Sequence, residues 1–180
     1  MRRVSVVGSS GAGKTTFARR LAAALDVPHL ELDAVYHQAD WAHLDDDEFT
    51  TIVQRTTSTD GWVIDGNYRV VTMHGPAWAE ADTVIFLDRS RPVVARQLIS
   101  RTVRRVISGA ELWNGNRERW GDVLTLDMQR SAILWSVLRH REIRDRYLRA
   151  MCDPAYAHLD FVRLTSSRAM DDFLAEHEPV

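Results

Sequence analysis

The sequence predicts an α/β fold built on a parallel sheet, and three observations lead to it. Short apolar segments alternate with longer segments whose apolar residues recur at helical spacing. A glycine-rich stretch at residues 8–15 joins the first apolar segment to an amphipathic one. The 180 residues are 45% hydrophobic, with no low-complexity stretch. A single domain over residues 1–180 is therefore expected.

Five short apolar segments predict the strands of this sheet. They cover residues 3–7, 29–32, 62–64, 83–87 and 161–164. Strands that alternate with helices along the chain form parallel sheets, because each connection must return to the same end of the sheet. Ligands bind such sheets at the carboxyl ends of the strands, so the residues after each strand are the first candidates for a site.

Segments of helical periodicity lie between these strands. They cover residues 15–25, 46–57, 92–106, 126–151 and 168–176. In the first of them, Phe17, Leu21 and Leu25 share one face. The second begins with an acidic run at residues 45–48, which suits the positive end of a helix dipole. Residues 108–123 carry glycine, asparagine and tryptophan and are predicted to be irregular.

Composition excludes several classes of protein. Cys152 is the only cysteine, which excludes an internal disulfide framework and a four-cysteine zinc site. The apolar segment behind the first three residues stops at Gly8, too early for a signal peptide or a membrane helix. We therefore expect a cytoplasmic protein without a membrane partner.

The glycine-rich stretch matches the P-loop pattern G-x-x-x-x-G-K-[ST] at every fixed position. It consists of Gly8, Ser9, Ser10, Gly11, Ala12, Gly13, Lys14 and Thr15, followed by Thr16. Backbone N–H groups of such a loop cradle phosphates, the lysine reaches the β- and γ-phosphates, and the hydroxyl binds magnesium. The motif predicts binding of nucleotide phosphates with Mg²⁺, and a glycine-rich turn with an exposed lysine is the less favoured alternative.

Lys14 is also the only lysine of the chain. A phosphate site needs a compact charge on a flexible stem, which arginine does not supply. The guanine-binding motif Asn-Lys-x-Asp needs a second lysine, so this motif is impossible here, which argues against a classical signalling GTPase.

Acidic residues follow three of the predicted strands. Asp33 follows the second, Asp65 the third and Asp88 the fourth. Asp33 is predicted to position or deprotonate the phosphoryl acceptor, and Asp65 to bind magnesium and the acceptor. A turn or helix-cap role is the alternative for both, and it is the preferred interpretation of Asp88.

The segment after Asp65 carries further polar groups. Asn67 and Tyr68 are predicted to contact the acceptor, and Arg69 to clamp an anionic group of it. Because Asp-Gly-Asn is also favourable turn chemistry, a solvated loop remains the alternative.

Taken together, these motifs resemble those of the small P-loop kinases related to adenylate kinase, and in particular the adenylate kinase-like family also called DNA topology modulation proteins. The resemblance spans nearly the whole chain and rests on residues 8–15, on Leu32-Asp33 followed by Trp41, and on residues 62–68 and 81–88. In nucleoside monophosphate kinases the third strand ends in Asp-Gly-Phe-Pro-Arg, whereas residues 65–69 keep only the aspartate, glycine and arginine. The acceptor is therefore left open between a nucleoside monophosphate and a small hydroxylated metabolite.

The resemblance implies a three-layer fold, nucleoside monophosphate kinase-like, with a five-stranded parallel sheet and a helical lid at about residues 108–125. It also implies that ATP with Mg²⁺ binds the P-loop, that Arg96 and Arg101 contact this donor nucleotide, and that Arg139 and Arg141 move in behind the lid. Helix geometry independently favours Arg101 over its neighbours Arg104 and Arg105, since adjacent positions diverge around the helix. A cation at Arg101 would stabilise charge on the transferred phosphoryl group.

The cationic charge of the chain lies in its middle third. Formal charges sum to about −6 over residues 1–88, +8 over residues 89–149 and −4 over residues 150–180. A nucleotide-binding regulator that contacts nucleic acid is therefore the alternative to a kinase. The apolar stripe among these arginines favours the kinase, and a monomer and a homodimer both remain open.

Overall fold

A computed structural model of the protein describes residues 1–118, 120–123 and 132–178, with the backbone alone for residues 122, 123 and 132–135. Among these residues, none of the helices combines the length and apolar composition needed to cross a membrane. The predicted helix start at residues 126–131 and parts of the predicted lid lie outside the described residues.

The five predicted strands form one parallel sheet. They are β1 Arg3–Gly8, β2 His29–Glu31, β3 Trp62–Asp65, β4 Thr83–Leu87 and β5 Asp160–Leu164, in the spatial order β2-β3-β1-β4-β5. All four neighbouring pairs are parallel, so each connection crosses over a face of the sheet. The predicted fold class is confirmed.

Eight α-helices lie in the described residues. They are α1 Lys14–Leu25, α2 Leu32–Tyr36, α3 Asp46–Thr57, α4 Pro76–Glu80, α5 Arg91–Ser108, α6 Trp120–Val123, α7 Ala132–Ala150 and α8 Ser167–Ala175. The sequence analysis missed α2, α4 and α6, because four or five residues are too few to show a helical period. Leu32 begins α2, so β2 ends one residue earlier than predicted.

Two apolar layers hold the helices against the sheet. Val4 and Val6 of β1 pack with Phe17 and Leu21 of α1 on one face, where α8 also lies. Val7 points to the other face, whose core is built with α3, α4 and α7. Side chains alternate between the faces of a strand, so a continuous apolar strand buries residues on both sides.

Asp88, immediately after β4, links the sheet to α7. Its carboxylate is 5% exposed and accepts hydrogen bonds from Arg144 Nε at 2.9 Å and from Arg163 Nη2 at 2.6 Å. The sequence analysis preferred a turn role for Asp88. It did not predict these two partners, because they lie 56 and 75 residues away along the chain.

Replacing Asp88 by alanine is expected to lower the free energy of unfolding by about 2 kcal/mol, because two arginines lose a largely buried partner while keeping access to solvent. Urea unfolding measures this change. The matched control is Asp145→Ala, which removes the carboxylate of an exposed pair with Arg141 on α7. The control should stay within about 0.5 kcal/mol of the parent protein. Equal losses in the two variants would contradict the structural role of Asp88.

Candidate active site

The P-loop leaves β1 in a conformation that glycine permits. Gly8 has φ +146°, and a Cβ there would lie 2.7 Å from the carbonyl oxygen of Leu87. Gly11 has φ +85°, and a Cβ there would lie 2.9 Å from the carbonyl oxygen of Val94 on α5. Both positions combine left-handed backbone with close packing, so larger residues are excluded. The loop is thus pressed between β4 and the first turns of α5.

Lys14 is the first residue of α1, where helix N–H groups concentrate positive potential. Its ammonium nitrogen lies 3.4 Å from the carbonyl oxygen of Ser9, so the side chain folds back over the loop. Loss of solvent lowers the pKa of Lys14, and nearby Arg101 lowers it further, whereas Asp33 and Asp65 act in the opposite direction. A bound phosphate would supply the negative charge that favours the protonated ammonium.

Three side-chain oxygen atoms meet at Thr15. Its hydroxyl lies 3.3 Å from Glu31 Oε1 and 3.3 Å from Asp65 Oδ1, and its single proton can serve only one of them at a time. Outer partners hold both carboxylates in place, since Arg19 donates to Glu31 Oε2 at 2.8 Å and His29 Nε2 lies 2.9 Å from Asp65 Oδ2. The inner oxygens therefore face Thr15. Two carboxylates and a hydroxyl are the ligand chemistry that magnesium prefers, so these residues fit the ion.

Asp33 is held by a phenol from the neighbouring strand end. Tyr68 donates its hydroxyl hydrogen to Asp33 Oδ1 at 2.8 Å, and His37 Nε2 lies 3.4 Å from the same hydroxyl. Burial, reinforced by the charge of Asp33, raises the pKa of Tyr68, so the phenol remains a donor. Burial lowers the pKa of His37, which keeps its imidazole neutral at pH 7. The group presents a carboxylate whose orientation is set by a neutral hydrogen-bond network.

Arg101 on α5 interacts electrostatically with the same centre. Its guanidinium is close enough to Lys14, Asp33 and Glu31 for each charge to influence the others. Partial loss of solvent lowers the pKa of Arg101. Part of the residue remains exposed at the surface. An arginine at the open side of a phosphate loop can contact a nucleotide as it binds.

The comparisons with solved structures concern the whole fold. Shikimate kinase from Bacteroides thetaiotaomicron is 13% identical with a TM-score of 0.59, over 97% of this chain and 95% of that chain. Shikimate kinase from Acinetobacter baumannii, in complex with shikimate, is 18% identical with a TM-score of 0.56, over 98% and 90%. A gluconokinase from Sinorhizobium meliloti 1021 is 15% identical with a TM-score of 0.53, over 98% and 89%. The chain has the P-loop kinase fold. Neither a protein-family model nor a curated protein sequence matches it.

Two other predicted site residues, Asn67 and Arg69, make contacts outside the group around Thr15 and Asp33. Asn67 fixes the start of the P-loop, since its Nδ2 donates to the Gly8 carbonyl oxygen at 2.7 Å and its Oδ1 accepts from the Tyr147 hydroxyl. Arg69 is exposed and contacts His74 Nε2 at 2.7 Å. The strand end turns its backbone here, so Tyr68 reaches Asp33 while the next side chain points elsewhere. The anion clamp at Arg69 stays a prediction.

The arginines expected behind the lid also lie elsewhere. Arg139 pairs with Glu142 at 2.9 Å, and Arg141, 92% exposed, pairs with Asp145 at 3.8 Å. These partners lie three or four residues on along α7, the spacing of side-chain neighbours on a helix surface. Arg139 and Arg141 therefore form surface ion pairs on α7, and their contact with a nucleotide stays a prediction. Arg96 and Thr16 are exposed.

Glu31 and His29 were missed by the sequence analysis. They sit two residues apart on β2, and the register of β2 on β3 places Glu31 beside Asp65. The two-residue spacing was visible in the sequence, since it puts both side chains on one face of a strand. The sequence did not show which strand lies beside β2, because strand order is a tertiary property. A groove of about 1330 Å³ lies at the opposite ends of the strands, near Arg2 and Asp82.

Proposed function

We propose that the protein is an ATP-dependent kinase that transfers the γ-phosphoryl group to a hydroxyl of a small metabolite. The observation that carries this proposal is the convergence of the P-loop lysine, the oxygens around Thr15 and the oriented carboxylate of Asp33 at one edge of the sheet. A phosphate site, a cation site and a base are the three parts that phosphoryl transfer requires. The likeness to shikimate kinase and gluconokinase structures supports the same reaction class.

Each part has a distinct task. The P-loop amides and Lys14 bind the phosphates, and Thr15 with Asp65 and Glu31 would hold Mg²⁺, which neutralises phosphate charge when bound. The acceptor oxygen attacks the γ-phosphorus while the bond to the β,γ-bridging oxygen breaks, and ADP leaves. The hydroxyl proton passes to the Asp33 carboxylate, and Arg101 stabilises charge on the transferred group.

The acceptor class follows from what surrounds Asp33. Tyr68 and His37 are neutral hydrogen-bonding groups, which suit a hydroxylated substrate. Arg69, the residue best placed in the sequence to clamp a nucleoside monophosphate, contacts His74. We therefore favour a small hydroxylated metabolite over a nucleoside monophosphate, the two acceptors that the sequence left open.

The test is ADP release from Mg-ATP by the purified full-length protein, with and without a panel of acceptors. The panel contains D-gluconate, shikimate, neutral polyols and the common nucleoside monophosphates. Stimulation by a hydroxylated compound, together with its phosphorylated product in the mass spectrum, is the expected result. Stimulation by nucleoside monophosphates alone would contradict the proposed acceptor class. Tight ATP binding with no stimulation by any compound would contradict a kinase function.

A further inference from the structure

Two small loops of the same geometry meet beside the acceptor site. We call them the acceptor loop, residues 37–43, and the asparagine loop, residues 111–117. In the acceptor loop Gln38 N–H donates to the Ala42 carbonyl oxygen at 2.8 Å, and in the asparagine loop Leu112 N–H donates to the Asn116 carbonyl oxygen at 2.7 Å. An antiparallel bridge closes each loop, at residues 37 and 43 and at residues 111 and 117.

The turns differ in the residues that carry the left-handed conformation. The asparagine loop uses Asn114 at φ 56° and Gly115 at φ 81°, a pair that accepts positive φ readily. The acceptor loop uses Asp40 at φ 56° and Trp41 at φ 58°, and a left-handed tryptophan is unfavourable. The surroundings must therefore hold the acceptor loop in this turn.

Side chains of the asparagine loop hold the acceptor loop in this turn. Asn116 is 4% exposed, and its Nδ2 donates to the Gln38 carbonyl oxygen at 2.8 Å while its Oδ1 accepts from the Trp41 N–H at 2.9 Å. Asn114 Nδ2 donates to the His37 carbonyl oxygen at 2.6 Å. Every one of these contacts is to backbone of the acceptor loop, so they constrain its conformation rather than one side chain.

The contact between the two loops extends through His37 to the carboxylate of Asp33. Trp113 of the asparagine loop stacks on the His37 ring, with centroids 5.7 Å apart and planes at 19°. His37 Nε2 in turn lies 3.4 Å from the Tyr68 hydroxyl that donates to Asp33. A continuous set of contacts thus joins the asparagine loop to the group that would position the acceptor hydroxyl.

We propose that Asn114 and Asn116 are positioning residues for the acceptor. They hold the acceptor loop so that His37 and Tyr68 orient Asp33, and their loss weakens acceptor use without weakening ATP use. This role rests on the proposed function, because it assigns the Asp33 side of the site to the acceptor.

The test uses Asn116→Ala and Asn114→Gly in the full-length protein. Glycine keeps the left-handed turn at position 114 and removes only the side chain. The matched control is Glu111→Gln, in the same loop, which changes an exposed side chain paired with Arg117. The first measurement is amide hydrogen exchange at Trp41, expected to be about tenfold faster in Asn116→Ala and unchanged in the control.

The second measurement is the steady-state kinetics of ADP release, with D-gluconate and shikimate as acceptor probes. In both asparagine variants the KM for the stimulating acid should rise about tenfold while the KM for ATP stays within about twofold. Unchanged exchange at Trp41 would show that the loops are not docked in solution and would overturn the proposal. Equal changes in both KM values, or no change in either, would overturn the positioning role. If neither acid stimulates the parent protein, the same kinetics are measured with the neutral polyols of the panel, and stimulation by none of these compounds would overturn both the proposed acceptor class and the positioning role. The exchange result decides separately whether the loops are docked.

Discussion

Replacing Lys14 by alanine is expected to reduce acceptor-stimulated ADP release by roughly two to three orders of magnitude and to weaken ATP binding. The reason is that Lys14 supplies the ammonium group of the P-loop, at the start of α1 and folded over the loop. The fold should survive, since the described hydrogen bond of the ammonium is one contact of 3.4 Å. Turnover, calorimetric binding of Mg-ATP and thermal unfolding together measure these effects.

Two control variants separate the phosphate site from general charge. Lys14→Arg keeps the charge but replaces a compact ammonium with a planar fork, so it should also lose most activity. Arg20→Ala removes an exposed cation of the same helix that pairs with Asp171, and it should behave like the parent protein. A Lys14→Ala protein with parental ATP binding and turnover would refute the phosphate site.

Replacing Asp33 by asparagine is expected to lower the turnover number by roughly two to four orders of magnitude with little change in ATP binding. The amide keeps the shape of the side chain and can still accept from Tyr68, but it cannot take the acceptor proton. Single-turnover transfer from Mg-ATP measures the loss directly. Unlike Lys14→Ala, this variant should saturate with ATP at the parental concentration.

The matched comparisons for Asp33 are Tyr68→Phe and Asp26→Asn. Tyr68→Phe removes the donor that orients Asp33 and should give a smaller loss, because the carboxylate itself remains. Asp26→Asn makes the same chemical change at an exposed residue that caps α1 in the left-handed region, where asparagine is equally suitable. If Asp33→Asn retained parental turnover, Asp33 could not be the base.

The sheet and its phosphate loop were predictable because each depends on residues close together in the chain. The spacing of Gly8, Gly13, Lys14 and Thr15 is a local pattern that only a strand, a tight loop and a helix satisfy. Continuous apolar strands and helical periodicity are equally local, which is why all five strands were found. Asp33 and Asp65 could be selected because strand ends meet at one edge of a parallel sheet.

Only the tertiary structure decided which side chains lie at that edge of the sheet. The physical reason is that the position of a side chain there depends on strand register, strand order and loop docking. Glu31 joins Thr15 only because β2 lies beside β3 in a register that pairs it with Asp65. Arg69 contacts His74 instead of the site because the backbone turns after Tyr68, and Arg139 finds Glu142 on its own helix. Asn116 meets Trp41 across 75 residues of chain, a contact that no local pattern encodes.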